Sequence, residues 1–166
     1  HHHTNRGFGD FYTLDGDAAA VGELAVQLID ALGVALTREM GACLFVAIST
    51  DCGQFSFSNT RPQTFRAAAR CAETGIDIAA LTRRLYRTRS RGRTLLLGRV
   101  LAGLQTSPDG RLAWARLTED MLAECGALRE DNEGIVNYLL EIEGVLIAVL
   151  AEQRGAATKI SLRSVP

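Results

Sequence analysis

His1-His2-His3-Thr4-Asn5-Arg6-Gly7-Phe8-Gly9-Asp10 opens the chain, and Thr50-Asp51-Cys52-Gly53 stands well downstream of it as an isolated acidic turn. The reading of these two segments decides the reading of the rest. The three histidines are the only ones in the sequence. Any imidazole that binds a metal or moves a proton near neutral pH therefore lies in the first three residues. A terminal histidine run is also the usual remnant of a purification tag, to be set aside from functional argument. Against the tag stands the continuation: Thr4-Asn5 and Phe8-Gly9-Asp10 do not have linker composition and read as native sequence.

Outward from Asp51, Thr37 is placed to cap a helix that runs through Met40, Cys43, Leu44, Val46, Ala47 and Ile48. These positions are too apolar for a surface element, so the pattern predicts a buried helix, ending near Asp51 with Gly53 as terminator. That helix delivers Asp51 to its C-terminal end. A carboxylate there has two readings. It bonds nearby backbone as a turn residue, or it joins an imidazole nitrogen in a ligand set suited to Mn²⁺ or a comparable divalent ion. One His and one Asp do not complete a two-metal site, and no other acidic pair has the right look. Asp15 and Asp17 are expected to turn and cap a helix, while Glu130, Asp131 and Glu133 are expected on a helix face.

Upstream, Val21, Leu24, Ala25, Leu28, Ile29 and Leu32 recur at helical spacing and stop at Gly33, which predicts an amphipathic helix after the Asp15-Gly16-Asp17 turn. Downstream, Pro62 opens a third helix to Thr74, closed by Gly75, and residues 77–88 make a fourth. Arg83, Arg84, Arg87, Arg89, Arg91, Arg93 and Arg99 crowd the next stretch. They read as a solvated helix face and linker, or as contacts for phosphates, whose geometry guanidinium forks match. The apolar patterning is weakest there, which predicts a boundary near 89–93.

Beyond it the character changes. A helix from Thr94 to about Leu101 leads to a hairpin with Pro108-Asp109-Gly110 as its turn, joining a strand that ends near Thr106 to Leu112–Arg116. Thr118 caps a short helix, and Ile135, Val136, Leu139, Leu140 and Ile142 mark a longer one. Val145–Ala151 and Thr158–Leu162 pair across Arg154-Gly155, so the order β-β-α-α-β-β describes a small α+β domain. Its last strand has no closing element after it, as though the chain stopped before the domain does.

Composition limits the class. At 166 residues, 47% hydrophobic and 22% charged, the chain is ordinary globular sequence with a net charge of −1. Cys43, Cys52, Cys71 and Cys125 show no CxxC spacing. They read as reduced cysteines, mostly core, with Cys43 inside an apolar run. No apolar stretch approaches the length of a membrane span and no signal peptide is visible, so the expected location is cytoplasmic, with no membrane partner.

HHHTNRGFGD resembles the motif region of the DHH phosphoesterase superfamily, in which Asp-His-His is followed by a variable residue, Ser or Thr, Asn, and then Phe-Gly. TDCGQFSFSNT resembles that superfamily's later Asp-Thr-Gly-x-Phe motif, with Cys52 in place of the usual Thr, and KISLRS resembles the Arg-Ser strand of the DHH-associated domain. The resemblance runs over nearly the whole chain and is nearest to the bifunctional oligoribonuclease and pAp phosphatase group. It implies an α/β fold: residues 1–88 as the C-terminal part of a DHH catalytic domain, mainly helical with its parallel-sheet strands largely upstream, an Arg-rich linker at 89–95, and residues 96–166 as an incomplete, small α+β DHH-associated substrate-binding domain.

The same resemblance implies roles. His1, His2 and Asp51 would be catalytic, with His1 and Asp51 as metal ligands. His2, Arg163 and Ser164 would bind substrate, and His3 takes the variable position. The cofactor would be Mn²⁺ in a two-metal site, with Mg²⁺ as the alternative ion. The motif's own aspartate, the upstream Asp motifs and the downstream glycine-rich segment are not in this sequence, so these 166 residues alone are expected to be inactive. The implied function is a metal-dependent phosphoesterase that hydrolyses short oligoribonucleotides, 3′-phosphoadenosine 5′-phosphate (pAp), or both to nucleoside monophosphates. Its partners would be a short RNA or nucleotide substrate and a second copy in a homodimer. The competing readings are a cyclic dinucleotide phosphodiesterase or exopolyphosphatase of the same superfamily, and a non-catalytic nucleotide-binding module.

Overall fold

The structure is a computed structural model that describes Thr4, Gly9, Asp10 and residues 13–165. The chain divides into two compact units, His1–Arg87 and Thr88–Pro166. Its class is α/β, rich in helix with a small mixed sheet.

The first unit is helical among its described residues: α1 (Val21–Ala31), α2 (Arg38–Asp51), α3 (Pro62–Glu73) and α4 (Ile78–Thr82), the last running into a π-helical turn over Arg83–Arg87. Residues 77–88 are therefore not one α-helix. The N-cap of α1 is Ala20, with no side-chain cap bond. The Asp15-Gly16-Asp17 segment instead closes on itself, with Asp15 Oδ1 accepting the Asp17 N–H at 2.9 Å. Thr37 caps α2 as its sequence position implies, accepting from Met40 N at 3.3 Å.

The core of this unit is Ala19, Ala20, Val26, Phe45, Ile48, Cys52, Ala67, Ala68, Cys71 and Ile76. Gly22 sets how closely α1 meets α2, since a Cβ there would lie 2.9 Å from Ile48 Cγ1 and 3.2 Å from the Leu44 carbonyl. Packing through Gly22, Glu23 and Val26 turns Val21, Leu28 and Leu32 outward, at 56%, 59% and 67% exposure. Only Gly41, Phe45, Ile48 and Ser49 of α2 are buried. The helix is half-buried rather than buried, and Cys43 is exposed, not core. Cys52 and Cys71 are buried, and burial pushes both thiols up from their ordinary range.

The second unit begins at a capped helix: Ser90 Oγ accepts from Arg93 N at 2.9 Å, and α5 (Arg91–Ala102) starts at Arg91 rather than Thr94. The cap explains the difference, because Ser90 satisfies a first-turn amide that would otherwise be orphaned. Then follow β1 (Gln105–Thr106), β2 (Leu112–Leu117), α6 (Glu119–Cys125), a 3₁₀ turn (Arg129–Asn132), α7 (Ile135–Leu140), β3 (Ile147–Arg154) and β4 (Ala157–Ser164). Thr118 caps α6 as expected. The helix over Ile135–Ile142 is shorter than its apolar pattern suggests, because Glu141 and the segment through Gly144 (φ +85°) turn the chain into β3.

The sheet order is β1-β2-β3-β4, with β1–β2 and β3–β4 antiparallel and β2–β3 parallel. The parallel pair requires a crossover, which α6, the 3₁₀ turn and α7 supply. Alternation in β2 and β3 points Ala113, Ala115, Leu117, Ala148 and Leu150 at Leu96, Val100, Leu122, Ile135, Val136 and Leu139, one continuous core. None of the helices among the described residues is long and apolar enough to cross a membrane.

Candidate functional site

Two places hold the candidate groups, one in each unit. In the first, Asp51 is the last residue of α2, exposed, with its carbonyl accepting from Asn59 Nδ2 at 3.3 Å. The carbonyls at a helix C-terminus hold partial negative charge, so a carboxylate there stands in a field that favours a cation nearby. The chain after it takes an unusual course. Gly53, Gln54 and Phe55 all have positive φ, at +54°, +58° and +67°. Two successive non-glycine residues in this region cost on the order of 1 kcal/mol each.

The surrounding bonds over-determine that strained turn. Gln54 N donates to Ser49 O at 2.8 Å, Ser56 N and Phe57 N donate to Cys52 O at 3.1 and 3.2 Å, and Phe55 N donates to Cys52 Sγ at 3.3 Å. The Phe55 ring is tilted against Phe45 and stacked on Phe65, with centroids at 6.4 and 5.2 Å. Cys52 is thus the buried pivot of the turn. At Gly53 a Cβ would fall within 2.6 Å of three atoms of the Phe57 ring, but that ring is exposed and can swing away, so the glycine is needed chiefly for its φ of +54°.

His1 and His2, expected as metal ligand and phosphate contact, lie outside the described residues. Among the described residues no group of three or more His, Cys, Asp or Glu could hold a metal ion. By its chemistry Asp51 could give such a group one carboxylate ligand, and no described cluster completes the set. Asp15, set aside as a ligand from its sequence, is engaged elsewhere. Its Oδ2 meets Arg61 Nη2 at 3.4 Å, and its Oδ1 accepts the Asp17 amide. The amide bond first, and Arg61 with it, hold its carboxyl below the ordinary carboxylate range.

In the second unit a recess of about 490 Å³ opens between β3–β4 and the segment from the 3₁₀ turn into α7. Arg129, Arg154, Lys159 and Arg163 bring four cations to its wall, against the acids Glu130 and Glu133. Two of these cations are held by Glu152, which is only 2% exposed and does not itself line the recess. Glu152 Oε1 accepts from Arg129 Nη1 at 3.0 Å and Arg154 Nε at 3.1 Å, and Oε2 accepts from Arg154 Nη2 at 3.1 Å. Burial works against its charge, yet Arg154, Arg129 and Lys159 together hold its carboxyl below the ordinary range. The arrangement is a cluster of partly exposed guanidinium and ammonium groups around one buried anion. It can bind a second, solvent-side anion such as a phosphate, for which such forks are suited.

β4 decides which sequence candidates enter. Lys159, Ser161 and Arg163 alternate onto the side that lines the recess, together with Leu150 of β3. Ser164 is one residue on, pairs with Ile147 and does not line it. Strand alternation therefore separates the two expected substrate contacts, Arg163 and Ser164. Arg129, Arg154 and Lys159 escaped the sequence reading. The period-two spacing of Lys159, Ser161 and Arg163 was the available signal for one of them, whereas Arg129 reaches the site only through the crossover.

Three arginines of the arginine-rich stretch are engaged within the second unit. Arg93 Nη2 donates to the Glu133 carbonyl at 2.5 Å, Arg99 pairs with Glu124 at 3.6 Å, and Arg89 bonds the Tyr138 hydroxyl and lies 5.5 Å from that ring's centre. These three side chains support the structural reading of the stretch over the phosphate-binding one.

No family model matches the chain. It is 37% identical over 165 residues to a bifunctional oligoribonuclease and PAP phosphatase of Thermus thermophilus, covering 99% of this chain and 49% of that protein. A protein of the same description from Bacillus subtilis is 23% identical over 167 residues, with 99% of this chain and 53% of the relative covered. The crystal structure of an exopolyphosphatase-related protein from Bacteroides fragilis superposes with a TM-score of 0.93 at 27% identity, over 100% of this chain and 49% of that one. The chain thus spans about half the length of the curated relatives it matches.

Proposed function

Because this chain belongs to the DHH superfamily, we propose that it is the part of a metal-dependent phosphoesterase that presents one edge of the metal site and the surface holding the substrate's remaining phosphate. Short oligoribonucleotides and pAp are the proposed substrates, in line with the names of the Thermus and Bacillus relatives. The observation that carries the reading is the convergence of Arg129, Arg154, Lys159 and Arg163 on one recess, in a chain whose other unit ends a helix on the exposed carboxylate of Asp51.

Asp51 and His1 would hold Mn²⁺. When bound, that ion polarises a phosphoryl oxygen and lowers the pKa of its water, giving a nucleophile at neutral pH. The protein's own part is binding and orientation. Lys159 and Arg163 face solvent in the recess and would take a phosphate or the 5′ end of a dinucleotide, while Arg129 and Arg154 are pinned by Glu152 and keep the site positive. His2 would meet the scissile phosphate.

The test is to assay the full-length gene product for release of nucleoside monophosphates from a dinucleotide and of phosphate from pAp, with Mn²⁺ and after chelation. Turnover that disappears with the metal supports the reading. Turnover unaffected by chelation, or none on either substrate, rejects it. Cleavage confined to polyphosphate or to a cyclic dinucleotide would move the assignment within the superfamily.

A further inference from the structure

One side-chain nitrogen in the first unit bridges two segments distant in sequence. Asn59 Nδ2 donates to the Ala19 carbonyl and to the Asp51 carbonyl, each at 3.3 Å. An amide nitrogen carries two hydrogens, so both are used. Ala19 is fully buried and lies in the segment that leads from the N-terminal motif into α1, while Asp51 closes α2. We propose that Asn59 is a positioning residue: it holds the backbone of Asp51 in fixed register with the segment that follows the histidines.

The other end of the bridge is held independently. The Ala19 N–H donates to Glu23 Oε1 at 3.3 Å, so Glu23 and Asn59 fix that residue's amide and carbonyl together. Glu23 is wholly buried, and its Oε2 lies 3.6 Å from Arg61 Nη2, which also meets Asp15 at 3.4 Å. Arg61 sits two residues after Asn59, with its own N–H given to Thr64 Oγ1 at 3.0 Å. The loop that carries Asn59 is therefore clamped on both sides of α1's first turn.

Stability alone does not account for this arrangement. Glu23 Oε2, Thr60 Oγ1 and Arg61 Nε are buried without a hydrogen-bond partner, and incompletely satisfied buried polar groups destabilise a fold. What the network does achieve is geometric. It ties the end of α2, just before the strained Gly53–Phe55 turn, to the Ala19 segment that leads into α1; under the proposed function Asp51 would have to share an ion with the N-terminal histidines. Angular and distance tolerances there are tight, since small displacements of reacting groups cost large factors in rate.

This inference rests on the reading of Asp51 as a metal ligand. Its test uses the full-length gene product as wild type, Asn59→Ala and Asn59→Gln. The readouts are Mn²⁺ affinity from the free-ion EPR signal, metal-free Tm, amide exchange over Gly53–Phe55 in the metal-free protein, and kcat and KM separately. Asn59 is exposed, so the alanine variant is expected to fold with little change in Tm. We expect it to bind Mn²⁺ about tenfold more weakly, to exchange faster at Gly53–Phe55, and to lose kcat more than KM, with Gln, which keeps both donors, recovering part of each. Wild-type Mn²⁺ affinity in Asn59→Ala overturns the positioning role while leaving the proposed function standing. A wild-type protein that binds no Mn²⁺ rejects the proposed function itself.

Discussion

Lys159, the single lysine of the chain, stands directly across the β3–β4 ladder from Glu152, a carboxylate buried to 2% exposure. A buried anion of this kind is tolerated only while its cations remain in place. Glu152 gathers Arg129 from the crossover and Arg154 from its own strand, so removing its charge releases both guanidinium groups at once. Glu152→Gln is expected to lower the stability of the 166-residue chain by about 2 kcal/mol, below the value for a fully buried pair because both arginines remain partly in water. Urea unfolding measures it, and a variant as stable as the parent would refute the role given to this carboxylate.

Acid should act through the same group. The Glu152 carboxyl lies below its ordinary value of 4.5 in the folded chain, so the unfolded state takes up protons first as pH falls. The stabilisation is complete above that ordinary value and disappears as pH drops through the folded one. Glu119, lowered chiefly by the Gly155 N–H and then by Arg129, adds to the trend. Urea midpoints recorded from neutral pH to about pH 3 should decline for the parent and decline less for Glu152→Gln. Parallel curves would sink the attribution.

On β4, alternation gives adjacent residues different fates. Arg163→Ala in the full-length gene product should raise KM for a dinucleotide or pAp by about tenfold, the value of one charge-assisted contact, with kcat changed less. Ser164→Ala should leave KM within about twofold of the parent, because Ser164 does not line the recess. Equal effects from the two substitutions would mean that the substrate does not use this face.

Gly92 brings α5 close against the main chain at the end of α6. A Cβ there would lie 2.5 Å from the Gly126 carbonyl oxygen and 3.0 Å from Ala127 Cα, both main-chain atoms that cannot rotate away. Gly92→Ala should therefore destabilise the second unit by about 1–3 kcal/mol despite alanine's better helix propensity. Thermal unfolding followed at Trp114, the chain's one tryptophan, reads that unit.

Thiol chemistry distinguishes the cysteines of the first unit. Cys43 is exposed, whereas Cys52 and Cys71 are buried with thiols shifted upward by that burial. A maleimide should label Cys43 promptly and the other two only on the timescale of unfolding. Rapid labelling of Cys52 would show that the Gly53–Phe55 turn opens locally.

Much of this architecture is written locally. The Thr37 and Thr118 caps, the Pro62 helix start, the Pro108-Asp109-Gly110 hairpin and the Arg154-Gly155 turn follow from residues within a few positions of each other, where capping and turn chemistry act. The placement of Asp51 at the end of a helix belongs with them. Burial did not: Cys43 and the Val21, Leu28 and Leu32 stripe are apolar by pattern yet exposed here, because Gly22 brings the opposite face of α1 onto α2. Residue order alone was enough to say in what order most helices and strands come and where several caps and turns lie, while the ends of α4, α5, α7, β3 and β4 fell elsewhere. It took three-dimensional packing to join Arg129 to Arg154, Lys159 and Arg163, to leave Ser164 outside the recess, and to bridge Ala19 to Asp51 through Asn59. Those are contacts between residues far apart in the chain, fixed by the parallel β2–β3 crossover and the packing of α1 on α2, and no local propensity encodes them.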